Sequence, residues 1–500
     1  MGKRAPSCQG DFEGNRQVER TNHPVVCNGK PGRKPKPKRY VGKVVGGYFG
    51  ILDRYFPKLR YLFRHVKDPR RETMLTHSCD VLLWQALCLF QTHTESRRQF
   101  EKERDTEAFR VNLGKLSGTA IAYSAHTDTM NYLLERLSPD ELHKIIRCNA
   151  RHLIRSKTLD GIRFDKHFLI AVDGVCFSAF KRPHCEHCLR RTTDGITMYF
   201  HYALVAMIVS PEGLVLPIEI EFIENTPAKG KTFSERDNEF KKQDCELKAF
   251  YRLAEQLKKN FPHLGITMLL DGLYANQNVI DICEKNHWDY FISLQDDSLP
   301  AFQREIVEIT KTHPDMTLQC TESNFRQTFR WTTPIRHAFK RNWGKVVMSR
   351  SLFAIEEIEE NLKTHKKSRF MYISSRRPER NNIVELIHEG ARQRWKIENQ
   401  TFNTLKNHGM ELQHVYGEKG NCLKNYFLFR LIALSIEQFL TFSNGLIKIL
   451  CPTTILPSRE KGINLFGSLK QLAKRLMESL RNDISEPIDL SCIRFCIPTG

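Results

Sequence analysis

"HFLIAVDG" (167–174) is the stretch on which the reading of this chain turns. An apolar run ends in Asp173 and Gly174, and "GITMLLDG" (265–272) repeats the pattern with Asp271 and Gly272. An acid that terminates a buried strand projects at the edge of a sheet, and the glycine after it lets the chain turn and a ligand approach. One strand-terminal Asp-Gly is ordinarily a turn. Two of them require the segments between to be read.

"MYFHYALVAMIV" (198–209) and "GLVLPIEIEFI" (213–223) alternate as strands, and Pro211-Glu212-Gly213 makes them a hairpin. A long helix, "KKQDCELKAFYRLAEQLKK" (241–259), precedes the second Asp-Gly strand; a short helix (275–286) and the strand "WDYFISLQ" (288–295) follow. Three strands, helix, strand, helix, strand is the order of a mixed α/β sheet covered by helices. In that order the first and fourth strands are neighbours, which brings Asp173 and Asp271 together. Their mutual repulsion calls for a cation, and Mg²⁺ held by carboxylates and waters suits it. Two such ions about 4 Å apart can activate a water or a 3′-hydroxyl and stabilise the leaving oxygen of a phosphodiester.

The flanking sequence sets further bounds. Seventy-seven Lys and Arg against 57 Asp and Glu give +20, which points to a polyanionic partner, nucleic acid first. The N-terminus has no apolar signal core. The most apolar run, "NYFLFRLIALSIEQFLTF" (425–442), contains Arg430 and Glu437 and reads as a buried helix, not a span. Fifteen cysteines without a framework suit reduced thiols in a cytoplasm. No internal repeats occur.

Residues 1–43, ending in "NGKPGRKPKPKRYVGK", read as a disordered basic arm. Residues 44–160 read as an all-helical domain for DNA binding, with Ser138, Pro139 and Glu141 forming a capping box at one helix start. Residues 161–297 are the first part of the catalytic core, and 298–385 are β-rich. Residues 386–445 complete the core, and 446–500 read as a peripheral C-terminal tail with a helix near 466–481.

A third acid is needed, and "RWKIENQTFNTLKNHG" (394–409) supplies Glu398 on an amphipathic helix. With these residues in place the chain resembles the DDE transposases of the retroviral-integrase-like superfamily. Specifically, it resembles the bacterial insertion-sequence branch whose core is split by a β-rich insertion before the Glu helix. That branch carries a Tyr–x2–Arg–x3–Glu–x6–Lys signature. Arg394–x3–Glu398 matches it; Ala391 stands at the tyrosine position, and Lys406 falls one residue beyond the expected spacing.

The resemblance implies an RNase H-like mixed five-stranded sheet interrupted by a β-rich insertion. It also implies Asp173, Asp271 and Glu398 as catalytic acids holding two Mg²⁺ or Mn²⁺ ions, with Arg394 and Lys406 on DNA phosphates. The implied partners are double-stranded DNA, as terminal inverted repeats and target, and a second copy of the chain in a dimer. The implied setting is the prokaryotic cytoplasm, at the nucleoid. Cut-and-paste transposition is the implied activity; the alternatives are a metal-dependent nuclease without strand transfer and an inert DNA-binding derivative.

Such branches flip a base onto an aromatic of the insertion. Phe370 matches by position, with Trp331 and Trp343 as competitors. In "FRQTFRWTTPIRHAFKRNWGK" (325–345) arginines alternate with aromatics, which suits either a DNA-facing or a solvated surface.

"PHCEHC" (183–188) contains Cys185-x2-Cys188, half of a zinc site, with His184 and His187 beside it. No second pair follows, so a polar loop with two free thiols is expected, zinc being the alternative. Asp244 and Glu246 are expected to be helix-surface acids paired with Lys242 and Lys248, and Lys396 a solvent residue.

Overall fold

The computed structural model describes residues 43–71, 75–225, 244–295, 298–340, 346–450 and 465–496. The basic arm through residue 42, Lys242 and Trp343 lie outside them.

Among the described residues the sheet has eleven strands, in sequence β1 (Phe168–Phe180), β2 (Leu189–Thr193), β3 (Ile196–Val209), β4 (Val215–Ile223), β5 (Ile266–Leu270) and β6 (Asp289–Leu294). They are followed by β7 (Thr317–Glu322), β8 (Phe325–Trp331), β9 (Ile335–Lys340), β10 (Val346–Asn361) and β11 (Lys367–Ser374). Within it, β4-β3-β1-β5-β6 is the order of the five strands expected from sequence. β1, β3 and β4 are antiparallel, whereas β5 and β6 run parallel to β1. Parallel strands need helical crossovers, and the helices Glu246–Asn260 and Gln277–Asn286 supply them.

The sheet does not stop at five strands. β11 pairs with β6, β10 with β11, and β8 with β10, so the segment after 298 extends the same sheet. Ile373 lies opposite Ile292 on one side and Ala354 on the other, and so carries that apolar face across the junction.

β1 also departs from the expectation. It does not turn at Asp173-Gly174 but continues to Phe180, because β3 pairs along its whole length, with a bulge between Cys176 and Ser178. Asp271 does end its strand, and its carboxylate caps the short 3₁₀ turn Gly272–Tyr274. At the far hairpin Gly213 has φ +92°, the conformation that favours glycine.

Helices over 44–155 pack on the apolar helix Cys422–Phe442, as the run of buried leucines and phenylalanines there requires. The C-terminal residues are not peripheral. Helix Leu469–Asn482 docks on the N-terminal helices, where Val45 N donates to Ser479 Oγ (3.0 Å) and Asn112 Nδ2 to Leu480 O (3.0 Å). No described helix is long and apolar enough to cross a membrane.

The segment bearing Glu398 is not a regular amphipathic helix. From Ile383 to Asn407 it alternates α, 3₁₀ and π turns, with π turns at Leu386–Gly390 and Ile397–Phe402. It lies against β1, β5 and β6. Gly390 permits that approach: a Cβ there would come 3.1 Å from Phe291 and 3.2 Å from Phe164.

Candidate active site

β1 and β5 pair in parallel up to Ala171 opposite Leu269, so two residues further on Asp173 and Asp271 leave the pairing side by side. Local backbone orients each. Gly174 N–H donates to Asp173 Oδ1 (2.8 Å), and Leu273 N–H donates to Asp271 Oδ1 (3.0 Å). The irregular helix brings Arg394 and Glu398 to the same place. Arg394 Nη1 donates to Glu398 Oε1 at 2.7 Å and stands 3.9 Å from Asp173 Oδ2.

The electrostatics agree with the geometry. Burial pushes the Asp173 carboxyl well above its ordinary range; Arg394 opposes this, while Glu398, Glu246 and Asp271 add to it. Asp271 is pushed up by burial too, against Arg394 and the Leu273 amide. Carboxylates gathered out of water at this density favour a cation, and the donors are hard oxygens suited to Mg²⁺ or Mn²⁺. Arg394 Nε beside them is buried without a hydrogen-bond partner among the described residues. The residues present therefore fit a divalent metal.

Glu246 was misread from sequence. It opens the helix Glu246–Asn260 but turns inward toward Asp271 and Asp173, hydrogen-bonded with Tyr202, and burial raises its pKa. A Cβ on Gly174 would lie 2.6 Å from Glu246 Oε1 and 2.4 Å from Tyr202 Cε1. The absent side chain at Gly174 makes room for this acid. Nothing in helical spacing marks it, because the first turn of a helix can face either a sheet or solvent. Asp244 is half-buried and is held by Arg252 Nη2 (2.6 Å).

The remaining candidates separate. Lys406 is exposed, and Glu398 belongs to the π turn Ile397–Phe402 that precedes it. A π turn takes up one extra residue, which accounts for the one-residue excess in its spacing. Phe370 is half-buried beneath the Arg392 guanidinium, 4.8 Å from the ring centre.

Trp331 is a correction: it is 7% exposed, pairs opposite Ile355 in the sheet, and belongs to the hydrophobic core. The arginines around it are also committed. Arg330 pairs with Glu356 (3.2 Å) and Arg326 with Glu360 (3.4 Å), while Arg392 holds the fully buried Glu357 (2.7 Å). Over 326–331 this alternating stretch is thus a core face and an ion-paired face. Lys396 is half-buried and faces Glu212 and Glu389, and burial lowers its pKa.

The loop 181–188 holds a second cluster. Cys185 and Cys188 are joined by His201, which arrives from β3, and by His184. The sequence reading looked for a second pair along the chain, whereas the partner is a strand histidine 13 residues after Cys188.

A search of curated proteins gives no match. Residues 242–436 match the family model described as the transposase DDE domain, a span that includes Glu246, Asp271, Arg394 and Glu398, with Asp173 upstream of it. Over this span the chain is therefore similar to the DDE domain of transposases.

Proposed function

We propose that the chain is a metal-dependent transposase that hydrolyses phosphodiesters at transposon ends and joins the freed 3′-hydroxyl to target DNA. The observation that supports it is the contact of one guanidinium, Arg394, with both Asp173 and Glu398, beside the strand end that carries Asp271. Asp173, Asp271 and Glu398 would hold two Mg²⁺ or Mn²⁺ ions. Bound there, the metal supplies charge stabilisation for the attacking and leaving oxygens of the phosphodiester.

The chain's own residues do the rest. The Gly174 and Leu273 amides fix one oxygen of each aspartate, leaving the other to face the site. Arg394 neutralises the acids and is positioned to take a phosphate oxygen when a metal replaces it. Lys406, exposed on the short helix after the π turn that holds Glu398, would grip a second phosphate. Phe370 would stack a displaced base once Arg392 shifts, a contact that extended aromatic faces make with any base. The helical region 44–160 would bind terminal inverted repeats, and two copies would act as a dimer. The basic surplus supports DNA as partner.

The test uses full-length protein with a labelled transposon-end duplex and a target plasmid. Asp173→Asn, Asp271→Asn and Glu398→Gln are each expected to abolish cleavage and strand transfer while DNA binding persists. Full cleavage by any of them would reject the assignment. Cleavage without joining of a pre-cut 3′ end would leave a nuclease, and absence of divalent-ion binding by the wild type would leave an inert DNA-binding protein.

A further inference from the structure

The loop between β1 and β2 carries a cluster that the DNA chemistry does not use. Cys185 and Cys188 form a turn in which Cys188 N–H donates to Cys185 O (3.4 Å) and Cys185 N–H donates to Cys188 Sγ (3.3 Å). β2 begins at the next residue and pairs with β3, Leu189 opposite Phe200, which sets His201 against both sulfurs. Cys185 Sγ and Cys188 Sγ are 3.7 Å apart, and each is 3.5 Å from His201 Nε2. His184 completes the set, its ring stacked on Phe180 at 4.3 Å, and one ligand atom from each of the four lies within 4.8 Å of the others. Cys188 and His201 are buried.

We propose that His184, Cys185, Cys188 and His201 bind a structural zinc ion. The distances are the argument. A tetrahedron with Zn–S arms of about 2.3 Å and Zn–N arms of about 2.0 Å has S···S edges near ~3.8 Å and S···N edges near ~3.5 Å. The edges observed are 3.7 and 3.5 Å. Two thiols at 3.7 Å are not disulfide-bonded, which requires about 2.05 Å. A donor set of two sulfurs and two imidazole nitrogens selects zinc over hard cations such as Mg²⁺. All four positions are protein side chains, so the site is closed and structural.

Supporting contacts hold the loop in place. Asn225, just past β4, donates through Nδ2 to Cys188 O (2.8 Å) and accepts at its own carbonyl from His187 Nδ1 (3.1 Å). The zinc would thus tie the β1–β2 loop to β3 and to the end of β4. Its reach extends to the candidate active site, because His201 is followed by Tyr202, which hydrogen-bonds with Glu246. The β1 bulge between Cys176 and Ser178 falls opposite these two residues, and the ion would fix its geometry.

The experiment uses the full-length protein, purified without added chelator and desalted. Elemental analysis is expected to give one zinc per chain, and Co²⁺ exchange to give a thiolate charge-transfer band with a tetrahedral visible spectrum. Cys185→Ser/Cys188→Ser should lose both the metal and the band. His184→Ala should weaken zinc at least about tenfold in chelator competition, as loss of ligand support does elsewhere. Asp173→Asn should keep the full zinc complement, which separates this site from the acidic one. The wild-type cobalt spectrum depends on no variant folding. No thiolate–cobalt band in the wild type, a Cys185–Cys188 disulfide in mass spectra of the unreduced protein, or full zinc retained by the double variant would each overturn the proposal.

Discussion

Arg394 Nη1 donates to Glu398 Oε1 at 2.7 Å from one turn earlier on the same irregular helix, and the same nitrogen lies 3.9 Å from Asp173. The arginine is buried, so it screens acids that water reaches poorly. Arg394→Ala is expected to destabilise the metal-free protein by about 1–2 kcal/mol, reduced from the fully buried case because the Glu398 side chain is 37% exposed. Mg²⁺ should recover more stability in this variant than in wild type, read by thermal unfolding with and without the ion. Equal recovery in both would show that Arg394 and the metal do not serve the same charges.

Asp173 gives the opposite sign. Its carboxyl is pushed up by burial, with Arg394 opposing and Glu398, Glu246 and Asp271 adding. An acid whose pKa is higher folded than unfolded ionises first in the unfolded chain, so it destabilises the fold increasingly as pH rises above the unfolded value. Asp173→Asn should therefore unfold at a higher temperature than metal-free wild type at neutral pH. The gap should close as pH falls toward about 4, the ordinary aspartate value. Mg²⁺ should raise the wild-type midpoint and leave this variant nearly unmoved.

Glu246 is the acid that helical spacing hid. Glu246→Gln keeps the shape and the Tyr202 contact but removes a charge facing Asp271 and Asp173. The expected effect is a loss of about ten- to a hundredfold in cleavage at limiting Mg²⁺, the scale of changes around metal ligands. Asp244→Asn, at an acid paired with Arg252, should cleave at the wild-type rate. Two variants with equal activity would return Glu246 to a structural role.

Gly174→Ala puts a methyl where Glu246 Oε1 and Tyr202 Cε1 already lie, at 2.6 and 2.4 Å. Strand backbone accepts alanine, so the cost is overpacking, about 1–3 kcal/mol. Cleavage should fall more steeply than stability, because the displaced side chains are those beside Asp173. Fluorescence-monitored urea unfolding alongside cleavage rates would separate the two effects.

Lys406 is exposed on the short helix Asn403–Asn407. If it holds one phosphate, Lys406→Ala should flatten the log–log salt dependence of DNA binding by about 0.9. An unchanged slope in filter-binding titrations across salt would remove Lys406 from the DNA interface.

Much of the fold was legible because strands buried on both faces are continuous apolar runs. "HFLIAVDG" and "GITMLLDG" read as strands whatever surrounds them, and their order around one helix leaves few ways to build a sheet. Runs of that kind do not carry their ends. β1 passes straight through Asp173-Gly174 because β3 offers partners as far as Phe180, and pairing is decided by the neighbour. The five-stranded expectation failed for the same reason: the edge of β6 is unmarked in sequence until β11 pairs with it.

The chemistry divides along the same line. Residue type and spacing alone determined that Asp173 and Asp271 follow buried apolar strand runs, the four-residue step from Arg394 to Glu398, and the Cys185-x2-Cys188 turn. Only the tertiary structure could bring Glu246 inward, carry His201 to the two cysteines, bury Trp331 in the sheet, and fit the extra residue before Lys406 into a π turn. Local spacing fixes what one helix or turn presents. Groups drawn from different strands meet only through the pairing and packing of the whole sheet, which no single segment encodes.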